Sequence, residues 1–151
     1  MTMRIKTTSF LALLLTALAL APGLAHLFEL PNKIGLSAQE YLTVQQIYRG
    51  WALLGIVVVG ALVANLVLAI QLRSRPRAFR LAAAAFLGVL ASLAVFFAFT
   101  YPANRATANW AVLPEGWEAL RRQWECAHAT AAVLNLGAFV ALILAVLAGK
   151  E

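Results

Sequence analysis

The chain has 151 residues, 63% of them hydrophobic and only 12% charged, with a mean hydropathy of +0.83; a water-soluble domain carries about 25% charged residues, so water is the wrong solvent for most of this surface. The net charge of +6 does not imply nucleic acid, because the basic residues sit at the ends of apolar runs and form no basic face. A single cysteine, Cys126, excludes an intrachain disulfide, and there is no P-loop, Gly-rich dinucleotide turn or cysteine pair.

A hydrocarbon layer about 30 Å thick is crossed by about 20 apolar residues of helix. Phe10 to Leu30 is the first of four such runs. Arg4 and Lys6 before it and the small residues Gly23-Leu-Ala25 within it also fit a cleavable signal peptide. The apolar run continues through Leu27, Phe28 and Leu30, so it is read as a retained crossing. Pro22-Gly23 frees the carbonyl of Leu18 and bends the helix one turn before His26; the bend either opens a cavity beneath His26 or is ordinary for a membrane helix. Pro31 and Gly35 then separate this crossing from a short helix, Ala38 to Tyr48, which opens on the capping box Ser37-Ala-Gln-Glu40.

Trp51 to Leu72 is the second run, with Asn65 past its middle. An amide at that depth must face the bundle, with Ser92 or Thr16 as its hydrogen-bonding partner. The connection Arg73-Ser-Arg-Pro-Arg-Ala-Phe-Arg80 is short and strongly basic. Leu81 to Tyr101 is the third run. Beyond it, Asn104, Arg105, Asn109 and Trp110 offer amides, a guanidinium and a flat ring to a polar ligand. Pro114 marks a helix start, and Trp117, Leu120 and Trp124 recur at helical spacing into the fourth run, Ala127 to Ala148. The fold expected is an all-α integral membrane four-helix bundle, one domain over residues 1–151, with short helices in two outer loops. Arg4, Lys6, the basic connection and Lys150 share one side, which the positive-inside bias makes cytoplasmic, so the protein is expected in the cell membrane with both termini inside. Small residues at four-residue spacing, such as Gly60 with Ala64 and Gly137 with Ala141, suit close helix packing and leave room for a homo-oligomer.

Both histidines, His26 and His128, lie at the outer ends of crossings one and four, which are neighbours in a bundle with short connections. Each has a carboxylate three residues outward, Glu29 and Glu125, on the same helical face. The pairs are mirror images on antiparallel helices, so they can meet at one level, with Asn104 and Arg105 above and Asn135 lining the same cavity. That arrangement suits acid/base work. It leaves open a metal or haem held by His26 and His128, and plain interfacial hydrogen bonding is the bland alternative. No cofactor is specified.

His26-x-x-Glu29-x-Pro31, Pro102-x-Asn104-Arg105, Trp117 and Arg121-x-x-Trp124-x-x-x-His128 together resemble the small four-helix membrane proteins grouped with anthrone oxygenases, whose bacterial members are mostly a domain of unknown function. The resemblance runs through nearly the whole chain and departs from the pattern at Ala131, where members carry Arg. It implies a site of His26, Glu29, Asn104, Arg105, Trp124 and His128, and a fold shared with enzymes that add oxygen to polycyclic phenols. Two functions follow as expectations. One is an oxidoreductase, or oxygenase, acting on a hydrophobic ring-containing substrate that enters from the bilayer, with His26, His128, Glu29 and Glu125 catalytic and Asn104, Arg105, Asn109, Trp110 and Trp124 binding substrate. The other is a non-catalytic membrane partner subunit or small-molecule binding module.

Overall fold

A computed structural model describes residues 2–149, and among these every regular element is helical. Six α-helices follow in chain order: α1 (Met3–Lys33), α2 (Ala38–Gln45), α3 (Leu54–Gln71), α4 (Pro76–Val95), α5 (Tyr101–Ala106) and α6 (Trp117–Ala148). Tight 3-10 turns at Gln46–Tyr48 and Trp51–Leu53 link α2 to α3, and a π turn at Phe96–Thr100 joins α4 to α5 just before Pro102. Four segments are long and apolar enough to cross a membrane: Met3–Lys33, Trp51–Gln71, Pro76–Ala106 and Trp117–Ala148. They form a closed antiparallel ring in which α1 packs on α3 and α6, and α4 on α3 and α6. The chain is thus an all-α four-helix bundle of multi-pass membrane type.

Its packing is the reverse of a soluble core. Ala12, Ala61, Ala82, Ala85, Ala132, Ala138 and Ala145 line the interior, whereas Phe10, Ile56, Val59, Val63, Leu87, Val133 and Val140 point outward. Lipid tails are as apolar as leucine, so helices associate by close backbone approach rather than by burying large side chains. The tightest contact is at Gly88 of α4, where an added Cβ would lie 2.9 Å from Ala138 Cβ and 3.2 Å from the Leu134 carbonyl oxygen on α6. Two buried polar pairs cross this interior, and a half-buried third, Gln71 Nε2 to Thr8 Oγ1 at 3.1 Å, joins α3 to α1. Asn65 Nδ2 donates to Thr16 Oγ1 at 2.9 Å, so Thr16 and not Ser92 is its partner. Ser92 instead donates to Asn135 Oδ1 at 3.1 Å, which ties Asn135 to α4.

Three boundaries differ from the sequence expectation. First, α1 does not end before Pro31 but runs through both Pro22 and Pro31 to Lys33. A proline near a helix end removes one amide without stopping the turn that follows, and Ile34 N–H still reaches the Leu30 carbonyl at 3.0 Å. Second, Pro114 precedes a turn, and α6 starts at Trp117 after Gly116, whose φ of 71° is left-handed. Third, the α2 segment keeps the expected start at the capping box but tightens to a 3-10 turn after Gln45. With 31 and 32 residues, α1 and α6 are longer than the hydrocarbon requires, and their surplus projects at the end opposite the termini, called here the loop end.

Candidate functional site

At the loop end the surplus turns of α1 and α6 hold a cluster of charged and aromatic side chains. His26 and His128 meet there with ring centroids 4.1 Å apart and planes 28° apart, one stacked on the other. Trp124 stands edge-on to both, at 5.0 Å from His26 and 4.2 Å from His128. Tyr48 and Trp51 complete the enclosure, with centroids 4.5 and 5.6 Å from His26. His26 is buried, whereas His128 is partly exposed. Beneath the imidazoles the helices touch: a Cβ at Gly23 would lie 3.3 Å from Ala132 Cα, so the Pro22-Gly23 step serves close approach there rather than an opening.

The centre of the cluster is Lys33, which no motif in the sequence marks. Its ammonium is buried and lies 3.3 Å from Glu29 Oε2 on its own helix and 3.3 Å from Glu125 Oε1 on α6. It also donates to Tyr48 Oη at 2.7 Å and to His26 Nδ1 at 3.4 Å. An ammonium has no acceptor, so His26 Nδ1 is the accepting nitrogen and the ring hydrogen of the neutral tautomer belongs on Nε2. The Tyr48 hydroxyl passes its own proton toward Glu29. On the other flank Tyr41, wholly buried, donates to Glu125 Oε1 at 3.0 Å. Burial raises the hydroxyl pKa of both tyrosines, reinforced at Tyr48 by its bond to Glu29 and at Tyr41 by the charge of Glu125. Both therefore stay protonated donors to carboxylates.

A second layer closes over Tyr41. Arg121 donates to the Leu36 carbonyl at 2.7 Å and lies over the Trp117 ring at 4.6 Å, which ties the α1–α2 loop to α6. Ala108, Asn109 and Trp110 all have left-handed backbone, with φ of 49°, 55° and 60°. None is glycine, and each such residue costs about 1–2 kcal/mol. The turn swings the Trp110 indole against Tyr41 at 5.0 Å, and the Thr107 hydroxyl accepts its backbone N–H at 3.0 Å.

Of the expected site residues, His26, His128, Glu29, Glu125 and Trp124 converge as one group. Trp110 joins through Tyr41 and Trp124. Asn104 joins from α5, its Oδ1 accepting the Trp124 indole N–H at 2.8 Å. Arg105 and Asn109 are exposed, and neither side chain bonds to the cluster among the described residues. Lys33, Tyr41, Tyr48, Trp51 and Arg121 enter as further members.

The donor set does not suit the metal or haem that two facing histidines left open. Among the described residues no three His, Cys, Asp or Glu side chains are grouped to hold an ion. Stacked rings with centroids 4.1 Å apart hold their nitrogen lone pairs in two nearly parallel planes, whereas one metal would need a lone pair from each at about 2 Å. Lys33 already places a cation between the two carboxylates. His26, Lys33, Glu29, Glu125, Tyr41 and Tyr48 share one hydrogen-bonded and ion-paired network that can move protons, and His128 adjoins it by stacking on His26. One oxygen, Glu125 Oε2, is buried without a partner and remains free to accept. No family description, curated protein or solved structure matches this chain.

Proposed function

We propose that this chain is a cell-membrane protein with both termini cytoplasmic, and that the loop-end cluster is the acid/base site of an oxidoreductase similar to the anthrone oxygenases. The carrying observation is the convergence of His26, His128 and Lys33 with two carboxylates from neighbouring helices. Ionisable groups at this depth are costly unless they pair or serve a function. The substrate class is a hydrophobic ring system with an acidic C–H or O–H, reaching the partly exposed His128 from the bilayer. His128 takes the proton, and the carboxylates of Glu29 and Glu125 beside Lys33 favour the imidazolium that forms. Asn104 keeps its amide N–H free to hold a substrate oxygen, with Arg105 at the rim. The resulting carbanion is electron-rich enough to react with dioxygen; overall a ring CH2 and O2 give a ring C=O and water.

Dense contact beneath the imidazoles, Gly23 on Ala132, favours a second reading, a non-catalytic partner subunit or small-molecule binding module. The two are separated with protein in lipid nanodiscs, an anthrone and dissolved oxygen. Oxygen uptake matched by quinone formation, lost in His128→Ala and in Lys33→Met at unchanged helicity, supports catalysis. Binding without turnover supports the alternative. An absorption spectrum and metal analysis on the same sample check that activity needs no metal or haem. Sidedness is tested by labelling Ser37→Cys and Ser74→Cys in a Cys126→Ser background; the first should label from outside and the second only after permeabilisation.

A further inference from the structure

A groove of about 590 Å³ opens between the start of α4 and the last turns of α6, at the end that carries the termini. Leu81, Leu144 and Leu147 form its apolar wall, and Arg77 and Arg80 stand over it. Arg77, Arg80 and Leu81 are three and four residues apart and so share one helical face, as do Leu144, Leu147 and Ala148 on α6.

The charge at this end is one-sided. Arg4, Lys6, Arg73, Arg75, Arg77 and Arg80 gather here with no Asp or Glu among the described residues. Two of the guanidiniums are engaged: Arg75 donates to the Gly149 carbonyl, and Arg73 to the Ile70 carbonyl at 3.5 Å. Arg77 and Arg80 have no hydrogen bond and no ion pair among the described residues. Helix α4 begins at Pro76 with no side-chain cap and no acidic residue in its first turn, so its unpaired amides add to the positive potential. Membrane orientation needs basic residues near this end, but it does not require two that stand above an apolar groove without a partner among the described residues.

We infer that this groove binds one anionic glycerophospholipid, its phosphate between Arg77 and Arg80 and an acyl chain along Leu81, Leu144 and Leu147. Basic pockets between membrane helices are suited to such headgroups. The inference rests on the multi-pass fold and is independent of the loop-end chemistry.

The test is native mass spectrometry of the full chain released from detergent after exchange with phosphatidylglycerol, phosphatidylcholine or inorganic phosphate. The intact protein should retain one phosphatidylglycerol in preference to phosphatidylcholine, and millimolar phosphate should not displace it. Arg77→Gln/Arg80→Gln should weaken retention by roughly 25-fold, at about fivefold per guanidinium. Arg4→Gln/Lys6→Gln, which removes the same charge outside the groove, should leave it within about twofold. Equal retention of both lipids, displacement by phosphate, or equal loss in the two variants overturns the proposal. The lipid comparison uses the unaltered chain, so it holds even if the Arg77/Arg80 variant folds poorly.

Discussion

The two halves of this bundle hold together by different physics. In the apolar half, alanine and glycine faces meet at backbone distance, and three neutral pairs, Asn65–Thr16, Ser92–Asn135 and Gln71–Thr8, are the polar crossings described there. At the loop end, Lys33, Glu29, Glu125 and Arg121 are interleaved with Tyr41, Tyr48, Trp110 and Trp124. Close packing tolerates conservative change spread over many contacts. A charge cluster concentrates its energy in a few groups, and it is there that a single substitution should be felt most.

Lys33→Met should be the most damaging substitution. It keeps most of the apolar stem but removes the one cation that, among the described residues, pairs with Glu125, which is 0% exposed. Breaking a buried pair from one side costs about 3–5 kcal/mol. The melting temperature in detergent should fall steeply, and adding Glu125→Gln should restore much of the loss. If Lys33→Met melts like the parent, the ammonium is not the organising charge of this region.

Lys33 is also the clearest case of what sequence could and could not convey. The face shared by His26 and Glu29 was legible from a three-residue spacing, and so was its mirror in Glu125 and His128. Extending that face by four more residues reaches Lys33, but Pro31 intervenes and reads as a boundary. Whether a proline stops a helix or only costs one amide depends on the packing around it. Tyr41 and Tyr48 were hidden for a different reason, since they come from a loop helix whose docking is fixed only by contacts distant in sequence. Trp110 needs three left-handed residues, none of them glycine, and no local signal announces that turn. Asn65 is more legible: an amide deep in a crossing has few partners, and Thr16 is one of the two that the sequence offers. Arg105 and Asn109 were singled out for their chemistry, which says nothing of where a turn will aim them.

Tyr48→Phe comes next. It removes a donor to Glu29 and an acceptor of Lys33 while keeping the ring against His26 and Trp51. Hydrogen bonds to charged groups contribute about 1.5–3 kcal/mol. The pH dependence has a definite sign. Burial, then the bond to Glu29, raises the folded pKa of Tyr48. Its stabilisation is thus complete below the unfolded tyrosine value of about 10 and is lost as pH rises through the higher folded value. The gap between parent and Tyr48→Phe should stay constant from neutral pH to about 10 and narrow above it. A gap that widens in alkali would contradict the assigned bond.

In the apolar half, Gly88→Ala probes backbone approach alone. The added methyl would sit 2.9 Å from Ala138 Cβ and 3.2 Å from a carbonyl oxygen, neither of which is a flexible side-chain tip. Overpacking of this kind costs about 1–3 kcal/mol. Gly137→Ala is the internal control, because a Cβ there meets nothing within 4 Å. Equal melting temperatures for the two variants would mean that α4 and α6 are not in contact at Gly88.

The smallest effect belongs to the cap of α2, and it tests whether the loop helix merely rests on the cluster or is held in place by its own local bonds. Glu40 Oε2 accepts from the Ser37 backbone N–H at 2.9 Å and from its hydroxyl at 2.6 Å, and the Glu40 N–H is directed at Ser37 Oγ at 3.4 Å. These bonds, the hydroxyl's first, lower the Glu40 pKa below its ordinary value. A carboxylate depressed in the folded state stabilises it above the unfolded pKa, and that contribution fades as pH falls through the folded value. Glu40 is exposed, so salt and solvent screen much of the charge. Ser37→Ala removes a cap worth about 1 kcal/mol and should speed protease cleavage between Gly35 and Tyr41 at neutral pH, with the bundle's own melting almost unmoved. As pH falls through the lowered folded value of Glu40 the carboxylate protonates, and the difference in cleavage rate should shrink. If Ser37→Ala instead lowers the melting temperature as far as Tyr48→Phe does, α2 is an integral wall of the site rather than a capped loop docked against it.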